Sequence, residues 1–203
     1  MNITLEGIGK RFNNREWVIK NLNYSFEQNK TYAITGANGS GKSTLTKIIS
    51  GINLPSSGSV HYESNGKPLD SDQFYKHLTY AAPYLDLIEE LTLKELLHFH
   101  FQFKKIQEGY SLNDLMHKMY LEDSKNKYIS NFSSGMKQRL KLGLALFSQA
   151  SVTLLDEPTS NMDEQGVSWY SEQIASVAGS RILIIASNQA YEYGITDLII
   201  DLN

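Results

Sequence analysis

Eight residues near the start of the chain, Gly36-Ala37-Asn38-Gly39-Ser40-Gly41-Lys42-Ser43, constrain the fold more than any other feature. They fit the pattern G-x-x-x-x-G-K-[ST], in which a strand runs into a tight loop and the loop opens a helix. Backbone N–H groups must turn inward around phosphate oxygens, a path that glycines at 36, 39 and 41 permit because they lack Cβ. The helix that follows presents its positive end to the same anion. The flanks suit this reading: Tyr32-Ala33-Ile34-Thr35 is a buried-strand candidate, and a helix is expected from Lys42 to about Ile49, stopping at Ser50-Gly51. Lys42 would reach the β- and γ-phosphates and the Ser43 hydroxyl would ligate Mg²⁺, with Asn38, Gly39, Ser40, Gly41 and Thr44 completing the nucleotide-binding stretch.

A second half-site lies further along. Val152-Thr153-Leu154-Leu155 reads as an apolar strand that delivers Asp156 to the Mg²⁺ shell, with Glu157 beside it. A carboxylate at 157 is placed to polarise an attacking water. Alone, an apolar strand ending in Asp-Glu is only a strand end; beside a phosphate loop it gains meaning. Bulk properties narrow the rest. The chain has no cysteine, which excludes thiolate metal sites and thiol catalysis. Its 19 basic and 22 acidic residues give a net charge of −3, so no global basic field points to nucleic acid. The N-terminus lacks the basic start and apolar stretch of a signal peptide. No window approaches the roughly 18 consecutive apolar residues of a membrane span. The chain is expected to be soluble by itself and to serve a membrane only through a partner.

Along the chain the first part reads as short strands and turns, including Ser59-Val60-His61-Tyr62 after the turn Pro55-Ser56-Ser57-Gly58. The middle is richer in helical pattern. Thr92-Leu93-Lys94-Glu95 matches a capping box, Leu93, Leu96, Leu97 and Phe101 follow at helical spacing, and a second helix is expected from about Ser133 to Phe147. Strand character returns at Val152–Leu155, Arg181–Ala186 and Leu198–Ile200. This order is that of an α/β protein interrupted by a helical lobe. We expect a single domain over residues 1–203, with a nucleotide-binding core at 1–82 and 151–203 and the lobe at 83–150.

Between the two half-sites lies Asn131-Phe132-Ser133-Ser134-Gly135-Met136-Lys137-Gln138-Arg139, which resembles the signature of the ATP-binding cassette (ABC) family, usually Leu-Ser-Gly-Gly-Gln. Ser133 and Gly135 match; Phe132, Ser134 and Met136 depart. Independently of the family, Ser133 caps a helix whose free N–H groups and dipole suit a phosphate. Pro158-Thr159-Ser160-Asn161-Met162-Asp163 resembles the segment ending in the family's D-loop, with Asp163 as its Asp. Phe12 resembles the aromatic that stacks on adenine, and Val18 its apolar neighbour. An aromatic on a strand is as readily core. The resemblance implies an α/β P-loop NTPase core with a mixed or parallel sheet, an N-terminal antiparallel β portion and the inserted helical lobe. It also implies ATP and Mg²⁺ as ligands, and a homo- or heterodimer holding ATP between the phosphate loop of one chain and Ser133, Ser134 and Gly135 of the other. A transmembrane permease subunit is the expected partner and nucleic acid is not. The expected location is cytoplasmic, peripheral on the cytoplasmic face of the inner (plasma) membrane. The short length resembles exporter subunits of the haem-exporter and ABC-2 types.

Two positions depart from the family pattern. Where the Q-loop Gln is expected, after Tyr80-Ala81-Ala82, stands Pro83, and Tyr84, Asp86, Glu89 and Glu90 are the polar residues nearby. Where a switch His is expected, Ile184-Ile185-Ala186-Ser187-Asn188-Gln189 places Asn188, which donates an amide hydrogen bond but cannot be protonated. ATP binding is expected intact, and hydrolysis slowed by about 10²–10⁴-fold per lost group. A nucleotide-gated assembly module with little turnover is the competing reading. Pro83-Tyr84-Leu85-Asp86-Leu87-Ile88 is either a shielded turn or a docking surface for the membrane subunit. His98 and His100, on different helix faces, are expected in core or boundary roles, not as metal ligands.

Overall fold

In the N-terminal strand the apolar residues alternate with polar ones, and the fold follows that alternation. The computed structural model describes residues 1–12 and 16–203. Strand β1 (Asn2–Arg11) buries Ile3, Leu5 and Ile8 on one face. It pairs antiparallel with β2 (Trp17–Phe26) and with β4 (Ser57–Ser64), and β4 pairs with β5 (Lys67–Leu69), in the order β2-β1-β4-β5. The "short strands" expected here are therefore two strands of 10 residues each, paired along their length with register shifts between Leu5 and Arg11.

The second sheet is built from runs without alternation, as a sheet covered on both faces requires. Strands β3 (Thr31–Thr35), β7 (Val152–Asp156) and β8 (Ile182–Ala186) are apolar and buried almost throughout. With β6 (Leu78–Ala81) and β9 (Leu198–Asp201) they form the order β6-β7-β8-β3-β9, with β3–β8, β3–β9 and β7–β8 parallel. Helix α1 (Lys42–Ile49) packs on β7 and β8 through Leu45, Ile48 and Ile49. The short helix α2 (Ser71–Phe74) buries Phe74, whose ring stacks on Tyr62 at 3.9 Å.

The chain divides into two compact units. The first comprises Met1–Tyr80, Ala150–Glu157 and Val177–Asn203, and carries both sheets. The second comprises Ala81–Gln149 and Pro158–Ser176 and is helical: α3 (Leu93–Phe103), α4 (Leu112–Lys118), α5 (Ser134–Leu146) and most of α6 (Glu164–Val177). The capping box expected at Thr92 is present, with both reciprocal bonds between Thr92 and Glu95, and Ser111 with Asp114 builds a second at α4. Trp169 is the largest buried side chain of this unit, and its indole N–H donates to the Lys118 carbonyl (2.6 Å). The α/β architecture read from the sequence, with an antiparallel N-terminal sheet, a parallel second sheet and helices between β6 and β7, is the one observed. No described helix is long and apolar enough to cross a membrane.

Candidate nucleotide-binding site

Register brings the first group of candidate residues together. Asp156 on β7 is paired with Ala186 on β8, and Ala186 with Ile34 on β3. The three neighbouring parallel strands therefore end at one level. Asp156 and Glu157, then Ser187 and Asn188, then the glycine-rich loop all leave the same edge, where ligands of open parallel sheets bind.

The loop is shaped by contacts that exclude side chains. Gly41 has φ 104°, and a Cβ there would lie 2.9 Å from Val18 Cγ1 and 3.2 Å from Ile19 Cγ1. The half-buried Val18 thus packs directly beneath the loop. Gly36 has φ 144°, and a Cβ there would meet Ser40 Oγ at 2.5 Å. The Ser40 N–H closes the turn on the Ala37 carbonyl (3.1 Å). Helix α1 starts at Gly41 with no side-chain cap and no acidic residue in its first turn. The N–H groups of Lys42, Ser43 and Thr44 consequently have no intrahelical acceptor. Lys42 is only 5% exposed, and its ammonium donates to the Gly36 (2.8 Å) and Ala37 (3.0 Å) carbonyls, spanning the loop. Among the described residues, Ser40 Oγ is buried without a hydrogen-bond partner. Open donors, a buried ammonium and no carboxylate inside the turn fit a polyphosphate.

Asp156 is 1% exposed at the end of β7, and α1, which carries Ser43 in its first turn, packs on that strand. A hydroxyl and a buried carboxylate on elements in contact fit a hard divalent cation. Glu157 adopts φ 43°, a left-handed conformation uncommon for a residue with a Cβ, and its N–H donates to the Ala186 carbonyl (2.9 Å). Asn188 is exposed, and its Nδ2 donates to Asn38 Oδ1 (3.0 Å), so the residue at the switch position bonds directly to the phosphate loop.

The second unit gathers another group. Ser133 is the N-cap of α5, its Oγ accepting the Met136 N–H (3.2 Å). Ser134 is exposed on the first turn, and the place of a Cβ on Gly135 lies 3.5 Å from the Asn161 carbonyl. Asp163 caps α6, its Oδ1 accepting the Gly166 N–H (2.8 Å). Ser133, Gly135, Arg139, Asn161 and Asp163 line a common cleft of about 160 Å³. The signature-like and D-loop-like segments are therefore neighbours within this unit.

Phe12 lies just past the end of β1, 64% exposed, with the Lys10 ammonium 5.3 Å from its ring centroid, so it is not a core aromatic. The Pro83 segment carries ties that the sequence reading missed. The Pro83 carbonyl accepts from Lys141 Nζ (2.7 Å), and Lys137 pairs with Glu89. Lys137 and Lys141 are one helical turn apart on α5, a spacing that marks one face but not its partner. Burial lowers the Lys141 pKa, Asp86 opposes that shift, and Lys137 adds to it. Tyr84 and Ile88 are exposed. His98 is exposed, not at a boundary, whereas His100 is half-buried against Ser148 Oγ (3.0 Å). No cluster of metal-ligating residues occurs among the described residues.

Comparison with known proteins agrees with this geometry. The family model of the ABC transporter matches residues 19–160. The chain is 30% identical over 189 residues to YybJ of Bacillus subtilis (strain 168), an uncharacterised ABC transporter ATP-binding protein, covering 92% of this chain and 86% of that one. In fold it resembles an ATP-binding subunit of an ABC transporter, with TM-score 0.85, 23% identity, and coverage of 100% of this chain and 86% of the other. It also resembles a dimeric ATP-binding cassette in a post-hydrolysis state bound to ADP and Pi, with TM-score 0.85, 21% identity, and coverage of 99% and 94%.

Proposed function

The chain belongs to the ABC transporter family of ATP-binding proteins, and from that premise we propose that it binds ATP and hydrolyses it to power transport through a separate membrane-spanning subunit. The observation that carries the reading is the uncapped start of α1 beneath a loop spanned by the buried Lys42 ammonium. Lys42 exchanges two backbone carbonyls for β- and γ-phosphate oxygens, and the N–H groups of Gly39 and of Gly41 to Thr44 hold the remaining oxygens. Mg²⁺ bound by Ser43 and Asp156 would supply neutralising charge at the phosphates. Glu157 orients a water for attack on the γ-phosphorus and takes its proton, giving ADP and inorganic phosphate. Asn188 donates an amide hydrogen to the γ-phosphate. Phe12 stacks on the adenine with Val18 beside it, its exposure in the free protein leaving the ring available.

Two chains, identical or related, close head-to-tail, so that Ser133, Ser134, Gly135 and Asp163 of one complete the site of the other. The neighbouring positions of Ser133, Gly135 and Asp163 around one cleft support that arrangement. Both compact units thus act as one ATPase domain, peripheral on the cytoplasmic face of the membrane. The exposed Tyr84 and Ile88 form the docking surface for the permease. Turnover by the isolated protein is slow, because Asn188 and Pro83 replace groups that exchange protons and position water.

The test is Mg²⁺-dependent phosphate release by the purified chain. The wild type should turn over slowly, Glu157→Gln should bind ATP and turn over about 10²–10⁴-fold more slowly still, and Lys42→Ala should neither bind nor turn over. Phosphate release by Glu157→Gln at the wild-type rate would refute the assignment. A second reading, a nucleotide-gated module with no meaningful hydrolysis, is favoured by the Asn188–Asn38 bond, which contains no titratable group. Single-turnover conversion of bound ATP separates the two.

A further inference from the structure

Asn188 is an exposed carboxamide on a loop, and water competes too well with a single amide–amide hydrogen bond to Asn38 for that bond to orient it unaided. The residues on either side explain its aim. Ser187 is fully buried and its N–H donates to the Ile34 carbonyl (3.0 Å), which ties the start of the loop to β3. The Ser187 hydroxyl donates to the carboxylate of Glu192, and the same oxygen accepts the Gln189 N–H (2.8 Å). That local bond from residue 189 back to 187 folds the chain into a serine turn with Asn188 at its apex. Glu192 is only 2% exposed, and its N–H donates to the Gln189 carbonyl (3.0 Å), so it closes the turn from its far side as well.

We infer that Glu192 is a positioning residue: through Ser187 it locks the turn that points Asn188 at Asn38 and at the γ-phosphate position. This rests on the ATPase reading above, and deepens it. A hydroxyl bonded to a carboxylate is a strong, short interaction, and a buried one is little exposed to competition from water. Where the residue at the switch position carries no charge of its own, geometry is what it contributes, and small misplacements of such a group are costly. The Glu192 carboxylate reaches the turn through the Ser187 hydroxyl, and it is through Ser187 that it acts on Asn188.

The experiment compares Glu192→Ala, Ser187→Ala and Glu192→Gln, each alone and with Asn188→Ala. Steady-state kcat and KM for Mg²⁺-ATP are measured. So is the Asn188 side-chain amide signal of the nucleotide-free protein, assigned by its loss in Asn188→Ala. Glu192→Ala should lower kcat by roughly ten- to hundredfold with KM unchanged, as misorientation of a transition-state contact does. The Asn188 amide should move toward the position of a free carboxamide. Glu192→Gln, which keeps an acceptor for the Ser187 hydroxyl, should restore both readings. In the Asn188→Ala background none of the three substitutions should lower kcat further. Should Glu192→Ala fail to fold, Ser187→Ala removes the same link with a smaller change in volume. An unmoved Asn188 amide, or an equal loss of kcat with Asn188 already absent, overturns the inference. Failure of the ATPase reading is separate: it would show as no wild-type turnover, while the amide signal still decides the clamp.

Discussion

Glu157 stands at φ 43° at the end of a buried strand, a backbone conformation that costs an ordinary residue about 1–2 kcal/mol. If that strain is kept for the sake of the carboxylate, Glu157→Gly should stabilise the fold while sharply slowing turnover. Glycine takes the same φ freely, but it gives back roughly 0.5–1 kcal/mol in unfolded-chain entropy. The net gain is about 0.5–1 kcal/mol, which for a chain of this length raises the midpoint of thermal unfolding by roughly 1–4 °C. Glu157→Gln is the control, because it keeps the Cβ, the strain and the shape while losing the base. Thermal unfolding of wild type, Glu157→Gln and Glu157→Gly in nucleotide-free buffer is the assay, with phosphate release measured in parallel. Both variants should lose about 10²–10⁴-fold in rate, and only the glycine should melt higher. A glycine variant that melts at or below the glutamine variant would show that the left-handed turn is not under strain.

Three further outcomes follow from particular contacts. Thr92→Ala removes the capping box of α3 and should cost about 1 kcal/mol, read as a lower unfolding midpoint with ATP affinity unchanged. His100 has its pKa lowered to about 4, first by burial and then by the nearby Lys104. The unfolded chain therefore takes up the proton first, so stability should fall as pH drops from about 6.5 to about 4. Unfolding titrations of His100→Gln, which lacks that proton linkage, should show a smaller fall over the same window. Lys141→Met removes the donor to the Pro83 carbonyl, so the Leu85 amide, bonded to the Ala82 carbonyl, should exchange with solvent faster. Loss of one net hydrogen bond corresponds to a factor of roughly two to ten.

The phosphate loop was legible because its function is written in contiguous residues. Gly36, Gly41 and Lys42 must follow a strand and open a helix, and a local pattern states both requirements. The buried strands β3, β7 and β8 were legible for a similar reason, as short apolar runs bounded by turns. What escaped were pairings made across the chain. Nothing near Asn188 announces that its amide meets Asn38, 150 positions away. Lys141 and Pro83 are 58 apart, with α3 and α4 between them in the chain. The length of β1 and β2 escaped as well, because it depends on pairing between the two strands; Gly7 and Gly9 sit within β1, whose register shifts accommodate them. The αL conformation of Glu157 has no sequence signal at all, since glutamate does not favour it.

Sedimentation of the Glu157→Gln protein with and without Mg²⁺-ATP asks most directly whether the loop holds a nucleotide and a second copy closes over it. Two chains should travel together with one nucleotide retained per chain, and Lys42→Ala added to the same protein should abolish both. A sedimentation rate indifferent to ATP, with no nucleotide carried along, would contradict the central proposal.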